Sequence, residues 1–194
     1  SRPATDYGPR TTDSRRLQTP VALLDVIGAG NFARTMLLPH LKGQIPFGTV
    51  VNNTALSANH VKAKFGFAEA STDASAVFGA PTSGPARAGA PAAVLIATRH
   101  NLHAPLVVQA LNSGRHVFVE KPLCLSPAEL ANIDAASGKS TGSVQVGFNR
   151  RFAGASVELK KLLKAAPGPK TASFRGVPGR LEPQHWYANY AESG

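Results

Sequence analysis

The sequence predicts a doubly wound α/β fold, a parallel sheet covered by helices on both faces, followed by the truncated start of an α+β second domain. Three observations carry this expectation. An apolar run from Val21 to Ile27 breaks into Gly28-Ala29-Gly30-Asn31-Phe32-Ala33, and apolar residues then resume at helical spacing through Met36-Leu37-Leu38. Short apolar runs alternate with amphipathic stretches as far as about residue 149, as in successive strand–helix–strand units. Beyond residue 150 the chain offers one helix and one strand, too little to bury a core of their own.

The glycine turn is the first element to justify. A buried strand that ends in Gly-x-Gly-x-x-Ala and opens a helix is the arrangement by which a Rossmann domain holds a dinucleotide. Gly28 permits the tight turn, Gly30 presents no Cβ to a pyrophosphate, and Ala33 lets helix and strand pack closely. The N–H groups of Asn31 and Phe32, with the helix dipole behind them, would face the phosphates.

The other elements follow in order. Residues 1–20, rich in Arg, Thr, Ser and Pro, read as a disordered arm or linker, and residues 21–149 as the dinucleotide-binding domain. The first helix is expected to run to about Lys42, bent at Pro39 and stopped by Gly43. A second strand is expected over Gly48–Asn52 and a helix capped by Ser57 and closed by Gly66. A weak third strand is expected over Phe67–Ala70, with Asp73 capping a short helix. Residues 79–91 are a loop by composition, Ala92–Ala97 a buried strand, and His103–Asn112 an amphipathic helix with Leu106, Val107, Ala110 and Leu111 inward. His116–Val119 is the fifth strand. Ser126-Pro127-Ala128-Glu129 has the capping-box pattern with proline in the first turn, and Ser143–Phe148 is the sixth strand. Residues 150–194 read as the incomplete start of a second domain, with a helix over Ser156–Ala165 and a strand over Thr171–Val177.

Composition bounds the function. No apolar run approaches the roughly 18 residues that span a bilayer, and no signal-peptide pattern opens the chain. A single cysteine, Cys124, excludes an internal disulfide and suits a cytoplasmic setting. The only methionine is Met36, so the chain is expected to be processed or cut from something longer. The net charge of +10 is spread thinly, and Arg15-Arg16, Arg150-Arg151 and Lys160-Lys161 never become a basic tract interleaved with aromatics. It therefore reads as a surface that welcomes an anionic cofactor rather than nucleic acid. One cysteine and six histidines without metal spacing give no metal site.

Three stretches fall where such a sheet places its ligand, outside the carboxyl ends of the strands. They are the glycine turn, Ala97-Thr98-Arg99-His100-Asn101-Leu102-His103, and Glu120-Lys121-Pro122. A lysine that ends a buried strand at this crevice can pass a proton to or from a substrate hydroxyl, or it can be a solvated turn residue before proline.

Together with Val146-Gly147-Phe148-Asn149-Arg150-Arg151-Phe152, these stretches resemble the Gfo/Idh/MocA oxidoreductases over residues 21 to 194. The resemblance implies an NAD(P)-dependent dehydrogenase that moves a hydride between nicotinamide and a sugar, cyclitol or similar polyol. It implies that Lys121 touches nicotinamide and substrate and assists proton transfer, with Glu120 and Pro122 shaping its turn. It implies that Thr98 and His103 line the nicotinamide-ribose side. Asn149 and Arg150 would lie near substrate or serve as a hinge. In the same family a non-catalytic dinucleotide-sensing module is the alternative, and homo-oligomers are expected to form through the second domain. The tail Gly179-Arg180-Leu181-Glu182-Pro183-Gln184-His185-Trp186 resembles a two-part subgroup in which this domain follows a zinc alcohol-dehydrogenase-like region.

The chain departs from the pattern in three places. A carboxylate that holds the adenosine ribose is expected about 20 residues beyond the glycines, but Asn52 and Asn53 stand there, which leaves NAD and NADP both open. The loop 79–91 is longer and richer in Pro and Gly than the family's connection. The second-domain Asp and His that complete the family's active site are expected beyond Gly194, so this chain is expected to bind cofactor weakly and turn over poorly.

Overall fold

The computed structural model describes residues 21–79, 92–171, 173, 175, 182 and 184–193. Six parallel strands form one sheet in the order β3-β2-β1-β4-β5-β6, with β1 Leu23–Ile27, β2 Phe47–Val51, β3 Glu69–Ser71, β4 Ala92–Ile96, β5 His116–Val119 and β6 Val144–Val146. The order reverses beside β1, so the crevice of a doubly wound sheet opens between the carboxyl ends of β1 and β4.

Strand geometry sends alternate side chains to opposite faces, and the two faces are buried by different helices. Val94 and Ile96 of β4 join Val117, Val119, Leu106, Val107, Leu111 and Ile133 in one core. Leu95 joins Leu24, Val26, Val50, Leu38, Val61 and Phe65 in the other. The first core lies under α4 (His103–Asn112) and α5 (Pro127–Lys139), and the second under α1 (Leu38–Leu41) and α2 (Ala55–Phe65). Short α3, Ser75–Phe78, follows β3. The α5 start carries both halves of its predicted capping box: Ser126 Oγ accepts from Glu129 N at 3.2 Å, and Glu129 Oε2 accepts from Ser126 N at 3.1 Å.

Several boundaries differ from the sequence expectation for local reasons. The first helix begins with a π-helical turn, Ala33–Leu37, before α1. Pro39 cannot donate a hydrogen bond and its ring crowds the carbonyl four residues earlier, so the helix is wound loosely there. Thr54, not Ser57, caps α2, its hydroxyl accepting from Ser57 N at 3.2 Å. The third strand is displaced from Phe67–Ala70 to Glu69–Ser71, because Phe67 stacks on Phe47 at 4.5 Å and belongs to the core turn before it. The Asp73 carboxylate accepts from Ser75 N at 2.8 Å, as a turn that precedes α3 rather than a cap on it. Most of the loop 79–91 and of the strand expected at 171–177 lies outside the described residues, and described Thr171, Ser173 and Arg175 are in no strand. Helix α6, Gly154–Ala165, buries none of its residues; Leu159 and Leu162 are exposed. No described helix is long and apolar enough to cross a membrane.

One buried interaction has no precedent in the sequence pattern. Asp25, in the middle of β1, is 3% exposed and pairs with Arg115 Nη1 at 2.6 Å. Thr49 N donates to its other oxygen at 2.6 Å, and Arg115 Nη2 reaches the Gly79 carbonyl at 3.4 Å. Burial pushes the Asp25 carboxyl above its ordinary value, against the Thr49 N–H and the Arg115 charge that favour ionisation. The pair therefore locks β1 to the α4–β5 turn without being a large net source of stability.

Removing one partner leaves the other charge stranded. Arg115→Met is expected to destabilise the domain by about 3–5 kcal/mol in urea titration, and Asp25→Val with Arg115→Met to recover most of that loss. A carboxyl held above its unfolded value binds protons more readily in the fold, so the Arg115→Met penalty is expected to grow as pH rises through the carboxylate range.

Candidate functional site

The crevice is built from the loops that leave β1, β4 and β5. Gly28 stands at φ +87°, a left-handed conformation that costs glycine nothing. A Cβ there would also lie 2.7 Å from Thr98 Cγ2 and 2.8 Å from the Ala97 carbonyl carbon. Glycine thus brings the β1 and β4 loops into contact. Gly30 is the opposite case: a Cβ added to it would meet nothing within 4 Å. Arg34 N donates to Gly30 O at 3.0 Å, which makes Gly30 the first acceptor of the helix. The N–H groups of Asn31 and Phe32 then fall in the first turn, where a helix has no acceptor of its own to offer. Asn31 and Phe32 are exposed and Ala33 is buried against the sheet. An open approach to free helix N–H groups fits the pyrophosphate of a dinucleotide.

Asn52, which ends β2, is 9% exposed and donates its amide to Ser57 Oγ at 2.9 Å and to Ala29 O at 3.5 Å. It braces the back of the glycine turn.

The β4 and β5 loops are tied by His103. It is fully buried, with Nδ1 2.6 Å from Pro122 O and Nε2 3.1 Å from Thr98 O. The ring lies between the Thr98 loop and the Lys121-Pro122 turn and exposes no surface of its own to the crevice, in contrast to the sequence expectation that it lines the ligand side. The Lys121–Pro122 bond is cis. Lys121 itself is exposed at the end of β5. Glu120, 8% exposed, packs its carboxylate 2.8 Å from where a Gly147 Cβ would sit, so glycine at the end of β6 makes room for it. Burial raises the Glu120 carboxyl above its ordinary value, opposed by the Lys121 N–H and the Lys121 charge. Asn149 and Arg150 lie exposed in a 3-10 turn, Asn149–Phe152, just past β6. Among the described residues no cluster of His, Cys, Asp and Glu could hold a metal ion.

Sequence reasoning missed a second layer over this crevice. The segment 184–193 docks on the Thr98–His103 loop through a 3-10 turn, Trp186–Ala188, and helix α7, Tyr190–Ser193. Arg99 pairs with Glu192, and His100 Nδ1 lies 2.9 Å from Ser193 O. The His100 ring meets Trp186 edge-on at 4.9 Å and Tyr187 at 5.2 Å. Tyr187 in turn lies beneath the Lys121 ammonium, which is 6.0 Å from its ring centre. The only local signal was the aromatic pair Trp186-Tyr187 in an otherwise polar tail, and it does not name a partner.

Burial under this segment pushes the His100 imidazole below its ordinary value. The Ser193 carbonyl opposes the shift, and neighbouring His103 and Lys121 reinforce it. The fold therefore disfavours imidazolium. The docked segment is expected to be fully held above the ordinary histidine range and to loosen as pH falls through the lowered value. The emission of Trp186, the one tryptophan in the chain, is expected to shift to the red on acidification, and His100→Gln to remove that transition.

Comparison with known proteins agrees with this geometry. Residues 24–148 match the Gfo/Idh/MocA family, described as an oxidoreductase family with an NAD-binding Rossmann fold. Scyllo-inositol 2-dehydrogenase (NAD(+)) of Bacillus subtilis is 36% identical over 85 residues, which are 43% of this chain and 25% of that protein. A probable dehydrogenase from Thermotoga maritima superposes with a TM-score of 0.63 at 27% identity, over 73% of this chain and 40% of that one. A 3-ketoreductase from Actinomadura kijaniata, solved with TDP-benzene and NADP, shares the fold at a TM-score of 0.63 and 20% identity, over 75% and 44% of the two chains. The chain thus spans about a quarter of the curated relative's length and less than half of each solved one. With a family match across most of the described sheet and a crevice of the matching design, the chain belongs to the Gfo/Idh/MocA oxidoreductase family.

Proposed function

We propose that the chain binds NAD(P) across the carboxyl ends of β1, β4 and β5 and serves a dehydrogenase acting on a cyclitol, sugar or similar polyol. The observation that carries the reading is the pairing of an open Gly30 turn after β1 with an exposed lysine after β5, across the intervening β4. The curated relative that supports the substrate class is an inositol dehydrogenase.

Each residue then has a task. Gly30 leaves the approach open, and the Asn31 and Phe32 N–H groups hold the pyrophosphate. Asn52 keeps the turn in shape from behind. Thr98 forms the wall beside the glycine turn, and His103 fixes Thr98 relative to Lys121 through the two carbonyls at its ring. Bound nicotinamide supplies the hydride acceptor or donor. Lys121 Nζ takes the hydroxyl proton as the substrate carbon is oxidised and returns it on reduction. Glu120 sits beside Lys121 and holds its turn, while Asn149 and Arg150 border the substrate side beyond β6.

Because a Cβ at Gly30 meets nothing within 4 Å, Gly30→Asp is expected to leave the fold intact and so to isolate the ligand effect. Titration followed by nicotinamide fluorescence is expected to give saturable binding that weakens by tenfold or more, about 1.4 kcal/mol, in Gly30→Asp, with an unchanged melting temperature. In any preparation that turns over a cyclitol, Lys121→Ala is expected to lower the rate by about 100-fold or more. Binding without any turnover, unaffected by Lys121→Ala, would instead favour a dinucleotide sensor.

A further inference from the structure

The family reading leaves the choice between the two dinucleotides open, and the charge around the adenosine half of the site bears on it. Between Asp25 and Glu69 the chain contains no carboxylate. Of its four cations Arg34 stands in the first turn after the glycines, whereas Lys62 and Lys64 close α2 and Lys42 donates to the Lys64 carbonyl, at the end of the helices away from the crevice. That stretch comprises the glycine turn, the first helix, β2 and α2, the elements that enclose the adenosine end of such a crevice. The carboxylates that bound it are elsewhere or engaged. Asp25 is buried and paired with Arg115. Glu69 begins β3, at the amino end of that strand, whereas the crevice lies at the carboxyl ends of the sheet. Asp73, beyond the carboxyl end of β3, has both oxygens occupied by Ser75: one accepts from its N–H at 2.8 Å and the other from its hydroxyl at 2.5 Å.

The cationic side chain closest to the turn is held in place. Arg34 Nε donates to Gly30 O at 3.3 Å, while Asn52 Nδ2 lies 3.5 Å from the preceding carbonyl, Ala29 O. Arg34 and Asn52 thus reach consecutive peptide oxygens of one turn, Arg34 from the helix and Asn52 from the residue after β2. Arg34 forms no ion pair with any described residue, and its two Nη groups make no hydrogen bond to one. At the end of β2, a carboxylate would bond the ribose 2′-hydroxyl and repel a 2′-phosphate. Here the step is uncharged: Asn52 has its amide engaged, and Asn53 and Thr54 are exposed.

We propose that this edge selects NADP over NAD, with Arg34 as the residue that recognises the 2′-phosphate and the Asn52-Asn53-Thr54 step leaving its approach open. A guanidinium pairs with phosphate through two parallel N–H bonds, a geometry that a 2′-hydroxyl does not offer. The inference rests on the dinucleotide reading above and adds which cofactor and which residue.

The test is a calorimetric titration of the chain with NADPH and NADH, and with 2′,5′-ADP and 5′-ADP, which probe the adenosine half alone. The 2′-phosphorylated ligand of each pair is expected to bind about tenfold tighter or more. Arg34→Ala is expected to erase that gap while changing NADH and 5′-ADP by less than about twofold, and Asn53→Asp to weaken only the 2′-phosphorylated ligands. Equal or tighter binding of NADH and 5′-ADP by the unmodified chain overturns the inference and leaves the dinucleotide reading standing. Arg34→Ala weakening all four ligands alike overturns it too, since that is the result of a pyrophosphate contact or a distorted turn. If a folded chain binds none of the four, both readings fall.

Discussion

The contact between Gly28 and the end of β4 is the constraint on which the crevice depends. At φ +87° an L side chain is strained, and the missing Cβ would stand 2.7 Å from Thr98 Cγ2 and 2.8 Å from the Ala97 carbonyl, well inside van der Waals contact. That contact sets the glycine turn and the Thr98 loop side by side at the point where the strand order reverses. From it the other parts follow through short chains of hydrogen bonds. Asn52 secures the turn to β2, and His103 carries the position of Thr98 onward to Pro122 and so to Lys121. A buried imidazole between two carbonyl oxygens is a rigid spacer, able to donate to both only when doubly protonated. The three loops are therefore joined by one chain of hydrogen bonds.

The sheet beneath is held by different physics. Its two cores are ordinary aliphatic packing, in which alternate residues of β1, β4 and β5 serve opposite faces. Into this the chain inserts one buried ion pair, Asp25–Arg115, at a cost in desolvation that its hydrogen bonds only partly offset. Its effect is to fix β1 against the α4–β5 turn, below the crevice. Above the crevice, the Trp186–Ser193 segment adds an aromatic layer against His100 and Lys121, so the site has a defined wall on the side away from the phosphates.

Much of this was legible in the sequence, and the reasons differ by residue. The glycine turn, the β4 and β5 ends and the α5 capping box are local patterns, so a few consecutive residues determine them. The parallel, doubly covered sheet follows from alternation and right-handed crossovers, whereas the strand order comes from the structure. What escaped was non-local. Asp25 and Arg115 are 90 positions apart, and nothing near either one signals a pair. The family resemblance puts His103 on the nicotinamide-ribose side, whereas its burial depends on the Pro122 turn 19 residues on. Thr54 takes the cap assigned to Ser57 because α2 begins at Ala55, which puts Ser57 inside the first turn as the donor to the Thr54 hydroxyl. Asn52 and Asn53 were recognised as departures, but only the three-dimensional position of Arg34 gives their lack of charge a consequence.

The most direct test of the account is an amide NMR titration of the chain with a reduced dinucleotide, because it reports position as well as affinity. The account predicts that the largest shifts fall on Gly30, Asn31 and Phe32 and on the Thr98 and Lys121 loops, with the amino ends of the strands unmoved. Shifts concentrated elsewhere, such as on the outer faces of α4 and α5, would contradict it.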